Sequence, residues 1–155
     1  MIIRRTGKVP WSLRPDRSGD FEEIARRAAA RGLPPVRYPE GWPVQTYSII
    51  ALRAALFVRD QRERRALSRA LFHTAFAEGR HLADLDTVLQ AAAAAELDAE
   101  AVRAGMERQD IKDALRAETD AALSRGVTGV PTVAVGEDLF WGDDRLEDAA
   151  AALAG

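Results

Sequence analysis

The placement of proline constrains this chain more than any other feature. Six of its seven prolines lie at or before Pro43, residues 44–130 contain none, and Pro131 then stands directly before the apolar run Thr-Val-Ala-Val. Proline inside a helix removes a hydrogen bond and clashes with the preceding turn, so a long proline-free stretch is free to be helical throughout. The apolar pattern agrees. Ile49, Ile50, Leu52, Leu56 and Phe57 recur at three- and four-residue steps, and after the charged segment RDQRERR so do Leu67, Ala70, Leu71, Ala75 and Phe76, up to Gly79. Asp84 or Asp86 is placed to cap TVLQAAAAAEL, Asp98 to cap AEAVRAGMER, and Asp110 to cap IKDALRAETDAALSRG, which closes on Gly126. The expectation is about five helices joined by short loops, the size of a packed helical subdomain.

The flanks read differently. MIIRR at the start is a short β-type stretch, and residues 6–20 are loop-like, with Gly7, Pro10, Pro15 and Gly19 as breakers and Trp11 and Leu13 as anchors. Asp20 is expected to cap FEEIARRAAARG, with Phe21, Ile24, Ala25 and Ala28 on one face and Gly32 and Pro34 as the stop. The link LPPVRYPEGWP follows. After Gly126 the period shortens: TVAV reads as a strand, Gly136, Glu137 and Asp138 as a tight turn, and LFW as an antiparallel partner. Gly142 breaks that strand, and Asp143 or Asp144 is expected to cap the final helix RLEDAAAALA. TVAV is apolar at nearly every position, the pattern of a strand buried on both faces with neighbours on both sides. LFW supplies one neighbour, and no long apolar strand in the chain supplies the other.

Composition narrows the chemistry. The chain has 155 residues, 47% apolar and 30% charged, with a net charge of -2. That is a globular balance in one domain, with no basic field to attract nucleic acid. No apolar run reaches the roughly 18 residues of a membrane span and no signal segment opens the chain, so the expected compartment is the cytoplasm. Cysteine is absent and the only histidines are His73 and His81, which excludes thiolate chemistry by these residues and leaves too few ligands for a metal site. His73 reads as a structural histidine near the core and His81 as a loop residue. Arg62, Arg64, Arg65 and Arg69 form a basic run interleaved with Asp60 and Glu63, which reads as a solvated helix face. None of Ser12, Ser18, Ser48, Ser68 or Ser124 sits in a nucleophile motif, so no catalytic residue is nominated.

Pro131 admits two readings. A trans proline opening a strand is the commoner case. A cis bond, the one peptide geometry that proline makes cheap, would turn the chain sharply and leave the amide groups of Val130 aimed outward to pair with a peptide-like ligand.

The stretch RGVTGVPTVAVGEDLFWGDDRLEDAAAAL closely resembles the C-terminal end of the thioredoxin-superfamily branch that contains DsbA-like proteins, kappa-class glutathione transferases and 2-hydroxychromene-2-carboxylate isomerases. LFHTAFAEGRHLAD is similar to that branch's helical-insert signature, and GWPVQTYSIIALRAA to the segment opening the insert. The missing cysteine and the wording FWGDDR favour the isomerase type. The resemblance implies an α/β fold, an incomplete thioredoxin-like fold with a large all-helical insert: a single DsbA-like domain over 1–155, with 1–45 and 126–155 as the thioredoxin-like part and 46–125 as the insert. It implies a cis Pro131 and glutathione as cofactor, its cysteinyl part on the backbone of Val130 and its γ-glutamyl end on Asp144, with Asp143 beside it and Arg145 orienting the carboxylate. Plain N-capping by Asp143 and Asp144 remains an equal alternative. Gln45 stands where the isomerases commonly carry asparagine.

In that branch the nucleophile, serine in the isomerases, sits on a strand-helix-strand that precedes anything present here, so Met1 is expected at the end of the second strand of an N-terminally shortened member. Its hairpin would then offer an open edge for pairing with a second copy. Three functions follow from the resemblance: a glutathione-dependent isomerase acting on small aromatic-derived carboxylic acids, a non-catalytic glutathione- or peptide-binding module, and a thiol-disulfide oxidoreductase.

Overall fold

The computed structural model describes Asp16 and residues 18–155; the expectations for MIIRR, Trp11 and Leu13 lie outside the described residues. The chain divides into two compact units, one ending at Leu115 and one whose described part runs from Arg116 to Gly155.

The first unit is helical. Helix α1 (Ser18–Ala30) leads through an extended link to α2 (Ile49–Phe57), α3 (Gln61–Phe76), α4 (Leu85–Ala94) and α5 (Ala99–Glu107); α6 (Gln109–Ser124) begins here and continues into the second unit. α2 packs chiefly on α5, and α3 on α4. Leu67, Met106, Val88 and Val102 are the largest fully buried side chains, and Ala51, Ala54, Ala91 and Ala92 fill the remaining core. Alanine at these positions lets helix axes approach closely while larger residues opposite fill the space. α1 and the link join the same unit through aromatic rings: Tyr38 lies 5.0 Å from Phe21, 4.6 Å from Trp42 and 6.2 Å from Phe76. The cluster thus ties residues before Gln45 to the helices that follow it.

Three aspartates start three helices. The Asp60 carboxylate accepts from the backbone N–H of Arg62 and Glu63, Asp84 from that of Asp86, and Asp98 from those of Glu100 and Ala101. Each satisfies donors that the first helical turn leaves orphaned. The choice between Asp84 and Asp86 therefore falls on Asp84. Two expected caps are corrected. α1 begins at Ser18 and α6 at Gln109, so Asp20 and Asp110 sit inside the first turn. There their charge still complements the helix dipole, and the Asp110 carboxylate takes two hydrogen bonds from Arg108, at 2.9 and 2.8 Å. Residues 46–48 are not helical: the Thr46 hydroxyl donates to the carbonyl of Pro43, and the helix starts at Ile49. His73 is also corrected. It is exposed and lies 3.6 Å from the Glu78 carboxylate.

In the second unit, α6 ends as a Gly126-terminated helix, the Gly126 and Val127 N–H groups bonding back to Leu123 and Ala122. Strands β1 (Thr132–Val135) and β2 (Asp138–Trp141) pair antiparallel, Thr132 opposite Trp141 and Val135 opposite Asp138. The turn is therefore two residues, Gly136 and Glu137, and Asp138 opens β2 instead of belonging to the turn. The Arg125 guanidinium donates to the Gly136 carbonyl at 2.6 Å, fastening the turn to the end of α6. A 3₁₀ turn (Asp143–Arg145) leads into α7 (Leu146–Ala154), which packs on both strands. Among the described residues β1 pairs with β2 alone, and no residue of TVAV is fully buried; the expected burial on both faces is not met within them.

Candidate functional site

The loop between α6 and β1 positions the first site. Gly129 is buried beneath the Trp141 indole: a side-chain carbon there would come within 2.7 Å of Nε1. The Val130–Pro131 bond is cis, as is Trp42–Pro43 in the other unit. Thr132 Oγ1 donates to the Gly129 carbonyl at 2.7 Å, and the Pro131 carbonyl accepts from the Gly142 N–H at 3.0 Å. These two bonds close the loop and bring the chain around Pro131 beside the start of the Asp143–Arg145 turn. Val130 is left 68% exposed, and among the described residues neither its N–H nor its carbonyl makes a hydrogen bond.

Gly142 has φ of 111°, a region L side chains rarely adopt, and the Asp144 carboxylate folds directly over it. Expected capping of α7 by Asp143 or Asp144 is not what forms. The helix starts at Leu146 with Arg145 in the capping position and no side-chain cap bond, because the 3₁₀ turn takes up both aspartates first. Arg145 does not lie on Asp144: its Nε donates to Asp148 Oδ2 at 2.5 Å, and its guanidinium stands 5.6 Å from the centre of the Phe140 ring. The structure thus gathers Val130, Pro131, Asp143, Asp144 and Arg145 at one end of the hairpin, beside the open amide of Val130. Gln45 belongs to the helical unit, where its side chain folds over Gly41.

The helical unit holds a second site that sequence reasoning missed. A cavity of about 200 Å³ is walled by Trp42, Tyr47, Phe72 and Phe76, with Thr46, Ser48 and Arg80 also among its lining residues. Arg80 is held in place: Nη2 donates to Thr87 Oγ1 at 3.1 Å, Thr87 donates to the Asp84 carboxylate at 2.9 Å, and Nη1 lies 3.6 Å from Glu78. An aromatic wall with one anchored guanidinium suits a flat ring bearing a carboxylate. The available signal was Phe72, which falls off the buried stripe of α3 yet pairs with Phe76 one turn on. Nearby, the Tyr38 hydroxyl is buried without a hydrogen-bond partner among the described residues, and burial raises its pKa above the usual 10. Among the described residues no group of three or more His, Cys, Asp or Glu could hold a metal, and no helix is long and apolar enough to cross a membrane.

A helical unit followed by a proline-led antiparallel hairpin and a closing helix defines a helix-rich thioredoxin-type fold with a small two-stranded sheet. The chain belongs to the DSBA-like thioredoxin domain family, whose model matches residues 15–154. It is similar to 2-hydroxychromene-2-carboxylate isomerase of Sphingobium xenophagum, 28% identical over 121 residues, which cover 78% of this chain. The chain spans 60% of the length of that relative. A solved structure of selenomethionine 2-hydroxychromene-2-carboxylate isomerase matches 99% of this chain and 74% of its own, at a TM-score of 0.80 and 19% identity, a likeness of fold.

Proposed function

We infer that the chain serves a glutathione-dependent isomerase of the 2-hydroxychromene-2-carboxylate isomerase type, acting on aromatic-derived carboxylic acids. The observation that carries this reading is the exposed, unbonded amide of Val130 beside a strand: its N–H and carbonyl suit the cysteinyl residue of a tripeptide, which would add to the loop as a short strand. Asp144, close by on the 3₁₀ turn, suits an α-amino group, with Asp143 adding negative charge. Arg145 would have to leave Asp148 to orient Asp144; otherwise it acts by fixing the turn.

Glutathione, when bound, would supply a thiol nucleophile for the reversible isomerisation of a conjugated double bond. The chain's own part is to hold the cofactor and to seat the substrate. The ring cavity would seat the substrate against Trp42, Tyr47, Phe72 and Phe76, and Arg80 offers the carboxylate a charged partner whose direction Thr87 and Asp84 fix.

Steady-state turnover of 2-hydroxychromene-2-carboxylate by this chain, with and without glutathione, tests the reading. Turnover that requires glutathione and falls on Asp144→Ala is expected. Binding of glutathione with no turnover would instead favour a non-catalytic module built on the same amide.

A further inference from the structure

Helix α3 carries an outer face whose arginines the reading above leaves unused. Arg62, Arg65, Arg69, Phe72, His73 and Phe76 recur at three- and four-residue steps, which at 3.6 residues per turn gathers them within about 100° of one another. The buried residues Leu67, Leu71, Thr74 and Ala75 lie on the opposite side. The run reads in the sequence as a solvated helix face, and Arg62, Arg65 and Arg69 are indeed exposed. The acidic residues interleaved with them do not pair with them. The Asp60 carboxylate is spent on the N–H groups of Arg62 and Glu63, and Glu63 points about 100° round the helix from Arg62.

Among the described residues no ion pair or side-chain hydrogen bond engages the guanidinium of Arg62, Arg65 or Arg69. Arg64, on the core side of the same run, differs: its guanidinium donates to the carbonyls of Val58 at 2.7 Å and Arg59 at 3.4 Å. The row of unpaired arginines leads to the ring cavity, because Phe72, 65% exposed, and Phe76 line that cavity and stack with centroids 6.4 Å apart. Counted along the helix from Phe72, Arg69 lies about 4.5 Å away, Arg65 about 10 Å and Arg62 about 15 Å.

Three like charges in file repel one another until an anion spans them, and a single carboxylate would engage only one. Their spacing suits a ligand whose negative charges are strung along a chain, and the planar guanidinium fork matches phosphate oxygens in pairs. At about 200 Å³ the cavity has room for one small ring system. We propose that the outer face of α3 and the ring cavity together bind a small molecule in which a flat ring is joined to a polyphosphate, the ring in the cavity and the phosphates along Arg69, Arg65 and Arg62. Two sources share that chemistry: a nucleoside diphosphate, with its ring next to the phosphates, and an aryl thioester of coenzyme A, with its ring at the end of a long arm. The site uses the ring cavity and does not depend on glutathione.

Titration calorimetry at low ionic strength tests this with adenosine diphosphate and benzoyl-coenzyme A as full ligands and inorganic pyrophosphate as the part-ligand. At least one full ligand is expected to bind one-to-one and more tightly than pyrophosphate. The Arg65→Gln, Arg69→Gln double variant is expected to weaken it by about tenfold or more, added salt to weaken it further, and Phe72→Ala to remove the advantage over pyrophosphate. Binding of adenosine diphosphate alone identifies the nucleotide; binding of benzoyl-coenzyme A alone identifies the thioester; binding of both points to their common adenosine diphosphate. The proposal is overturned if neither binds, if the double variant binds the full ligand as the parent does, or if pyrophosphate binds equally well. Should the double variant melt early, Arg69→Gln alone gives the same comparison. Glutathione binding measured on the same variants separates this outcome from that of the function proposed above.

Discussion

Substituting Gly105 by alanine sets two known effects against each other, and the structure decides the sign. In an exposed helix interior, glycine to alanine stabilises by about 1 kcal/mol because alanine loses less backbone freedom on folding. Gly105 is buried in α5 where that helix crosses α2, and a side-chain carbon there would fall on the Phe57 ring, against Cγ, Cδ2 and Cε2 at once. Contact at the root of the ring cannot be relieved by swinging its tip, and Phe57 packs on the core. Overpacking of this kind costs about 1–3 kcal/mol, and here the upper part of that range applies, so the net effect is destabilisation by about 1–2 kcal/mol. For a chain of this size that lowers Tm by roughly 2–8 °C. Thermal melts followed by far-ultraviolet circular dichroism measure it, and a double-mutant cycle with Phe57→Ala isolates the cause: with the ring gone, Gly105→Ala is expected to become neutral or stabilising. A rise in Tm for Gly105→Ala in the parent chain would refute the packing argument.

Asp60→Ala removes the acceptor for two N–H groups at the start of α3 and is expected to destabilise by about 1 kcal/mol, visible as a lower denaturant midpoint at unchanged slope. Hydrogen bonds from Arg26, and secondarily from Arg27, hold the Glu23 carboxyl at a pKa of about 2 instead of 4.5. A depressed carboxylate contributes stability above its unfolded value and loses it as pH falls through the folded one. The Glu23 contacts should therefore persist at pH 4 and give way toward pH 2, and a carboxyl carbon titration by nuclear magnetic resonance with its midpoint near 4.5 would contradict this. Tyr38→Phe deletes a buried hydroxyl that has no partner among the described residues, so stability is expected to stay level or rise by up to about 1 kcal/mol in chemical denaturation, against the usual loss for a core polar change.

The helices were legible because their signals are local. Period and proline exclusion name α3, α4 and α5, and an aspartate at the right offset marks the start of α4 and α5, where Asp84 and Asp98 bond as those offsets require; the cap that Asp60 gives α3 was not read from the sequence. Where a cap was misplaced, at Asp20 and Asp110, a neighbouring residue could start the helix equally well, and one or two residues of slippage costs little. The final turn was less legible. Nothing in GDDRLEDAAAAL distinguishes an aspartate capping α7 from one caught in a 3₁₀ turn, because that choice depends on Gly142 bonding back to Pro131 across the hairpin. The hairpin end was visible through its Gly-Val-Pro-Thr and Trp-Gly wording. The ring cavity was not, since Trp42, Tyr47, Phe72 and Arg80 come from three separate segments whose meeting is a property of packing. The unpaired state of Arg62, Arg65 and Arg69 was hidden for a similar reason: sequence shows Asp60 and Glu63 nearby, and only the folded chain shows where those carboxylates point.

The central claim is that the amide of Val130 is left open to grip a thiol tripeptide. Titrating the nitrogen-15-labelled chain with reduced glutathione and following backbone amide resonances tests it most directly. The account predicts saturable shifts centred on Val130, Thr132 and the Asp143–Arg145 turn, lost in Asp144→Ala. Shifts confined to other parts of the chain, or none at millimolar glutathione, would contradict it.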